Sequence, residues 1–115
     1  LSEMMEEPFV MREEGSSTRE RLLSLCRTYN LPPPIISLQF NGLHEALTAV
    51  ISGYGANFVS SLVVREYIER GELSRVYVDG IHLKNTITIC TRKHHPLSAS
   101  TINFTLLILQ NPYKI

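Results

Sequence analysis

The stretch from Pro8 to Arg19 constrains this chain more than any other. An apolar run, Pro8 to Met11, gives way to Arg12-Glu13-Glu14, turns at Gly15 and restarts at Ser16-Ser17-Thr18 as a helical pattern. Apolar run, glycine and helix in that order make a strand–turn–helix unit, the building block of layered α/β folds. The helix start carries chemistry as well. Its first four N–H groups lack intrahelical partners, and the aligned peptide dipoles place roughly half a positive charge there. Gly15 and the hydroxyls of Ser16, Ser17 and Thr18 let a small anion approach those amides. The same residues admit a structural reading, because Ser17 followed three residues later by Glu20 is a capping box, in which the two side chains satisfy each other's backbone donors.

The pattern repeats downstream. Leu22, Leu25, Cys26 and Tyr29 recur at helical spacing, and Asn30 with Pro32 to Pro34 ends that helix. Ile35 to Phe40 is a strand-like run of branched and aromatic residues. Asn41 and Gly42 open a second helix lined by Leu43, Ala46, Leu47, Val50 and Tyr54 and closed by Gly53 and Gly55. Ala56 to Val59 reads as a compact strand, and Ser60 or Ser61 caps a third helix that runs through Arg70 to a stop at Gly71. Leu73 to Val78 and Thr86 to Thr91 read as strands separated by the Asp79-Gly80 turn. Ser98 to Leu109 has strand-favouring residues over a helix-like length, and its order in the chain favours a helix. Such alternation predicts an α/β fold with a mixed, largely parallel sheet flanked by helices. In sheets of that kind ligands bind beyond the carboxyl ends of strands, where helices begin. The starts at Ser16 to Thr18 and at Asn41, Gly42 and His44 are therefore candidates for one shared site.

Composition narrows the function classes. Eleven Lys and Arg balance eleven Asp and Glu, so no basic surface points to nucleic-acid binding by this stretch. The longest apolar run, Leu106 to Leu109, is far shorter than a membrane span. Glu3, Glu6 and Glu7 stand where a secretory leader would be cationic and apolar, which predicts a cytoplasmic protein. Cys26 and Cys90 suit a reducing compartment better than a disulfide framework. With no initiator Met before Leu1, the chain is expected to be an excised or partly ordered piece of something longer.

Catalytic and metal chemistry find little support. His82, His94 and His95 lack the paired spacing of metal ligands and suit loops. Adjacent Glu13 and Glu14 point to opposite sides and do not make an acid and base pair. No serine, histidine and acid arrangement is identifiable. His44, one turn into its helix, reads first as a solvated residue. Neither a metal nor a cofactor is expected.

The segment Pro8-Phe9-Val10-Met11-Arg12-Glu13-Glu14-Gly15-Ser16-Ser17-Thr18-Arg19 resembles the opening of the second effector-binding subdomain in LysR-type transcriptional regulators. The likeness continues through Asn41-Gly42-Leu43, Gly53 and Gly55 around Tyr54, Glu69 to Leu73, and Arg92 to Ser98, and it covers essentially the whole chain. It implies one lobe of a type II periplasmic-binding-protein fold, with residues 8–91 as the second subdomain and 92–115 as a return segment packing on a first subdomain. It further implies a non-enzymatic sensor that binds a small anionic effector between subdomains, reaches DNA only through an upstream winged helix-turn-helix, and works as a homo-oligomer without membrane contact. Gly15, Ser16, Ser17, Thr18, Asn41, Gly42 and His44 would supply this half of the site. The chain departs from the family pattern at Asn57, where a small apolar residue is usual, at Ser60, where proline is, and at Gly42, where a serine or other polar residue often stands. The alternatives are a lobe of a solute-binding protein and a module of a bilobal enzyme. The helix Ser98 to Leu109, apolar nearly all round, is expected to self-associate when its covering subdomain is missing.

Overall fold

The computed structural model describes residues 1–110. The chain divides into two compact units, Leu1–Asp79 and Gly80–Ile115. In the first, a short 3-10 turn at Glu3–Glu6 precedes strand β1 (Pro8–Arg12), helix α1 (Ser17–Thr28), strand β2 (Ile35–Phe40), helix α2 (Leu43–Ile51) and helix α3 (Ser61–Glu69). The second unit carries helix α4 (Ala99–Gln110).

Strand β1 is the centre of the first unit. Phe9, Val10 and Met11 are all buried, which a strand achieves only when both faces are covered. Phe9 and Met11 share a core cluster with Met5, Leu22 and Cys26, so α1 covers that face. Val10 points the other way, onto Ala46 and Ala49 of α2. The Cys26 thiol approaches Met5 Sδ at 3.9 Å, and burial raises its pKa. It is a small apolar filler there, as its helical spacing predicts.

The topology follows from those two faces. β2 runs parallel to β1, with Pro8 opposite Ile35 and Arg12 opposite Phe40. On the other edge of β1, Val10 N–H donates to Ala56 O (2.8 Å) and Ala56 N–H to Pro8 O (2.9 Å), a single parallel bridge. The chain therefore leaves β1 through α1 to one side and returns through α2 to the other, as right-handed crossovers on opposite faces require. Ser37 is skipped in the β1–β2 register, and its hydroxyl lies 2.7 Å from the Tyr54 carbonyl and 3.1 Å from that of Phe9.

All three helices of this unit close alike. Leu31, Tyr54 and Glu72 donate backbone N–H groups to Cys26, Ala49 and Tyr67, with Asn30, Gly53 and Gly71 at positive φ between. This is the Schellman stop expected at Gly71.

Three expected strands differ from the outcome. Ala56 to Val59 shrinks to the one bridge at Ala56, while Leu73 to Val78 and Thr86 to Thr91 form no strand. Ile87 is 71% exposed and Ile89 is 44% exposed, so the alternating pattern has no layer to bury its apolar face against. Alternation favours a strand only where a neighbouring strand and a covering layer accept it.

The segment whose residues favour a strand and whose length favours a helix is α4. None of its residues is buried, and Phe104 and Leu109 are 63% and 64% exposed. Residues 111–115, the end of the expected return segment, lie outside those described. No helix among the described residues is long and apolar enough to cross a membrane. An apolar helix in water is covered by association. The 115-residue chain is accordingly expected to form dimers or larger species in light scattering, and Phe104→Glu to shift them toward monomer; a monodisperse monomer at all concentrations would contradict this.

Candidate functional site

The carboxyl ends of β1 and β2 lie side by side, because Arg12 pairs with Phe40. Both helix starts singled out in the sequence therefore sit on one edge of the unit. They differ in how that edge is used.

At the first start, Gly15 adopts φ +87°, and a Cβ placed there would meet nothing within 4 Å, so it turns the chain freely into the helix. Ser16, not Ser17, is the N-cap residue, and it makes no side-chain cap bond. Instead Ser16 Oγ lies 3.0 Å from Thr18 Oγ1. The expected capping box of Ser17 and Glu20 is thus absent: the cap falls one residue earlier, which puts Arg19 where the box needs its carboxylate. Arg19 turns back and donates to the Arg12 carbonyl and to Gln39 Oε1, each at 2.8 Å. One guanidinium so ties α1 to the ends of both strands.

Beside it, Arg12 and Glu13 form a bidentate pair, with Nε to Oε2 and the second nitrogen to Oε1 both at 2.8 Å. The hydrogen bonds from Arg12 hold the Glu13 carboxyl down to about 2, and the same bonds raise the Arg12 pKa, with Glu45 adding a smaller electrostatic contribution. Glu13 is therefore a permanent carboxylate rather than a proton-transfer group.

Between β1 and Ala56 the sheet's connections depart in opposite directions, which is where open α/β sheets form their ligand crevice. A recess of about 10 Å³ lies there, lined by Met11, Arg12, Thr18, Arg19, Leu22, Asn57 and Phe58. Asn57 donates Nδ2–H to the Val10 carbonyl at 2.7 Å, while its Oδ1 is buried without a hydrogen-bond partner among the described residues.

The second start is occupied by the protein itself. Glu45, in the first turn of α2, folds its carboxylate back over Gly42, filling the space that a side chain at position 42 would take. Its charge compensates the α2 dipole internally. His44 lines a different, open groove with Leu38, Phe40, Thr48 and Tyr54. Of the residues named from the sequence, Thr18 borders the recess and Ser16 is bonded to it; Gly15 and Ser17 lead into it exposed, and Asn41 and Gly42 stand on the same edge.

Arg12, Arg19, Asn57 and Phe58 are recess residues that sequence reasoning does not place in the site. Arg19 reads as part of the polar helix face. Asn57 carries a signal, a lone amide inside an otherwise apolar run. No group of three or more His, Cys, Asp or Glu among the described residues could hold a metal ion.

Comparison with known proteins bears on this geometry. The family described as LysR substrate binding domain matches residues 1–111. The chain is 31% identical over 110 residues to the HTH-type transcriptional regulator CysL of Bacillus subtilis (strain 168), covering 94% of this chain and 35% of that protein. It is 30% identical over 83 residues to a protein named "Probable RuBisCO transcriptional regulator" from Guillardia theta, covering 70% of this chain and 27% of that protein. The chain thus spans about a third of the length of these relatives.

Proposed function

The chain belongs to the LysR substrate-binding-domain family, and from that premise we propose that it is the ligand-sensing part of a transcriptional regulator, with its effector held at the β1–α1 junction. The observation that carries this reading is the recess at the point where the sheet's connections diverge, bordered by Thr18, Arg12 and Arg19 beside a helix start that has no side-chain cap. Hydroxyls, the Arg19 guanidinium and the α1 amides make that edge suited to a small anion, while the Arg12 charge is matched by Glu13. A carboxylate or similar group would approach Ser16 to Thr18, where Ser16 Oγ and Thr18 Oγ1 already stand close enough to serve one ligand.

The names of the relatives support the wider role. In that role the effector closes two subdomains on one another, residues 92–115 return to the first subdomain, and the change in closure biases how a homo-oligomer presents its winged helix-turn-helix domains to DNA. The activity is sensing rather than catalysis, and the protein works in the cytoplasm.

A thermal-shift screen of small metabolites on the intact regulator tests the reading. A ligand that binds only the folded state raises its melting temperature by mass action, about 2.7 kcal/mol of stabilisation at a hundred times Kd. Small acids should be prominent among the hits. A screen in which only cations or neutral compounds stabilise the protein would overturn the anionic effector, and an upstream sequence encoding a signal peptide instead of a winged helix-turn-helix would overturn the regulator.

A further inference from the structure

We propose that Asn41 is a self-modifying site: its side chain deamidates spontaneously to aspartate and isoaspartate through attack by the Gly42 backbone nitrogen, at a rate restrained by the carboxylate of Glu45.

Among the asparagines of the chain, Asn41 alone is followed by glycine. The others precede Leu31, Phe58, Thr86, Phe104 and Pro112, whose side chains crowd the attacking nitrogen or, in proline, replace its hydrogen. The place is as permissive as the dipeptide. Asn41 is exposed, just past the last pair of the β1–β2 ladder, Arg12 with Phe40, and just before α2 begins at Leu43. No ladder or helix has to open for its backbone to turn. Gly42 is the N-cap of α2, and the helix engages its carbonyl, which accepts the Ala46 N–H at 3.3 Å, rather than its nitrogen. Asn57 is the opposite case: it is half-buried, and its Nδ2 donates to the Val10 carbonyl at 2.7 Å.

The reaction balances with water alone. The Gly42 nitrogen loses its proton to solvent and bonds to Asn41 Cγ, and the side-chain nitrogen leaves as ammonia from the resulting succinimide ring. Water then opens the ring. Cleavage between nitrogen and Cγ gives aspartate; cleavage between nitrogen and the main-chain carbonyl carbon gives isoaspartate, whose main chain is longer by a methylene. Either product adds a negative charge near neutral pH.

The attacking step itself places negative charge on the Gly42 nitrogen. The α2 dipole favours that charge, and Glu45 opposes it, because its carboxylate folds back over Gly42. After the reaction two carboxylates share one helix start. Isoaspartate also lengthens the link between β2 and the helix whose Ala46 and Ala49 pack on Val10.

The test ages the intact regulator in warm, mildly alkaline buffer and follows its peptides by mass spectrometry, with isoaspartate methyltransferase labelling for the rearranged product. The peptide holding Asn41 should exchange NH for oxygen ahead of those holding Asn30, Asn57, Asn85 and Asn103, and should take the label. Glu45→Gln should raise the rate about fivefold, the effect of one nearby charge in water. Glu45→Asp, which keeps the charge, should leave it slow. Earlier conversion at another of these asparagines overturns the proposal, as does an unchanged Asn41 under conditions where the urea-unfolded chain converts. An unchanged rate in Glu45→Gln, or an equal acceleration in Glu45→Asp, overturns the restraint by Glu45.

Discussion

Gly55→Ala is expected to lower the stability of the domain by about 2–6 kcal/mol, the sum of roughly 1–3 for a side chain at a backbone conformation only glycine favours and roughly 1–3 for overpacking. Gly55 has φ +144°, and a Cβ there would collide with the Pro8 carbonyl. That carbonyl cannot retreat cheaply, because it accepts the Ala56 N–H at 2.9 Å in the bridge that sets the second neighbour of β1. Ser37 Oγ, held between the Phe9 and Tyr54 carbonyls, would lie 3.4 Å from that Cβ, an ordinary contact, so the collision is with the Pro8 backbone. Gly53 supplies the control. It too has positive φ, +89°, but nothing within 4 Å of a Cβ, so Gly53→Ala should cost only about 1 kcal/mol. Urea midpoints of the two variants separate conformation from collision, and equal midpoints would show that the close approach of Gly55 to β1 contributes nothing.

The first unit is largely readable from the chain, and for a physical reason. The extents of α1 and β2, and the stops at Asn30, Gly53 and Gly71, rest on local signals: apolar periodicity, proline, and residues that tolerate a left-handed turn. The apolar run at β1 is buried on both faces, by the α1 cluster on one and the α2 cluster on the other. Leu73 to Val78 and Thr86 to Thr91 depart from their pattern because a strand pattern does not supply a partner strand. Sequence periodicity carries the face of an element but not the existence of the layer that covers it.

The candidate site is legible only in part. Thr18 and its neighbours stand out as candidates because hydroxyls after a glycine are a local pattern. The N-cap falls on Ser16 rather than Ser17, and a shift of one residue is enough to replace the capping box with the Arg19 clamp on the strand ends. Arg19 and Gln39 lie twenty residues apart, so their contact depends on register between β1 and β2. Glu45 covering Gly42 is equally hidden, although it decides which of two helix starts has electrostatic capacity to spare.

The second large effect falls on that remaining start. Each hydrogen bond to an ionised ligand is worth roughly 1.5–3 kcal/mol, and each 1.4 kcal/mol is tenfold in affinity. Ser16→Ala combined with Thr18→Ala removes both hydroxyls of the 3.0 Å pair at the α1 start while leaving the helix amides and the Phe9, Met11 and Leu22 core in place. The most direct measurement of the central claim is therefore the affinity of the intact regulator for its stabilising acid, with and without that double substitution, at matched urea midpoints. A loss of about a hundredfold or more is the predicted result, and undiminished affinity would place the effector somewhere other than the β1–α1 junction.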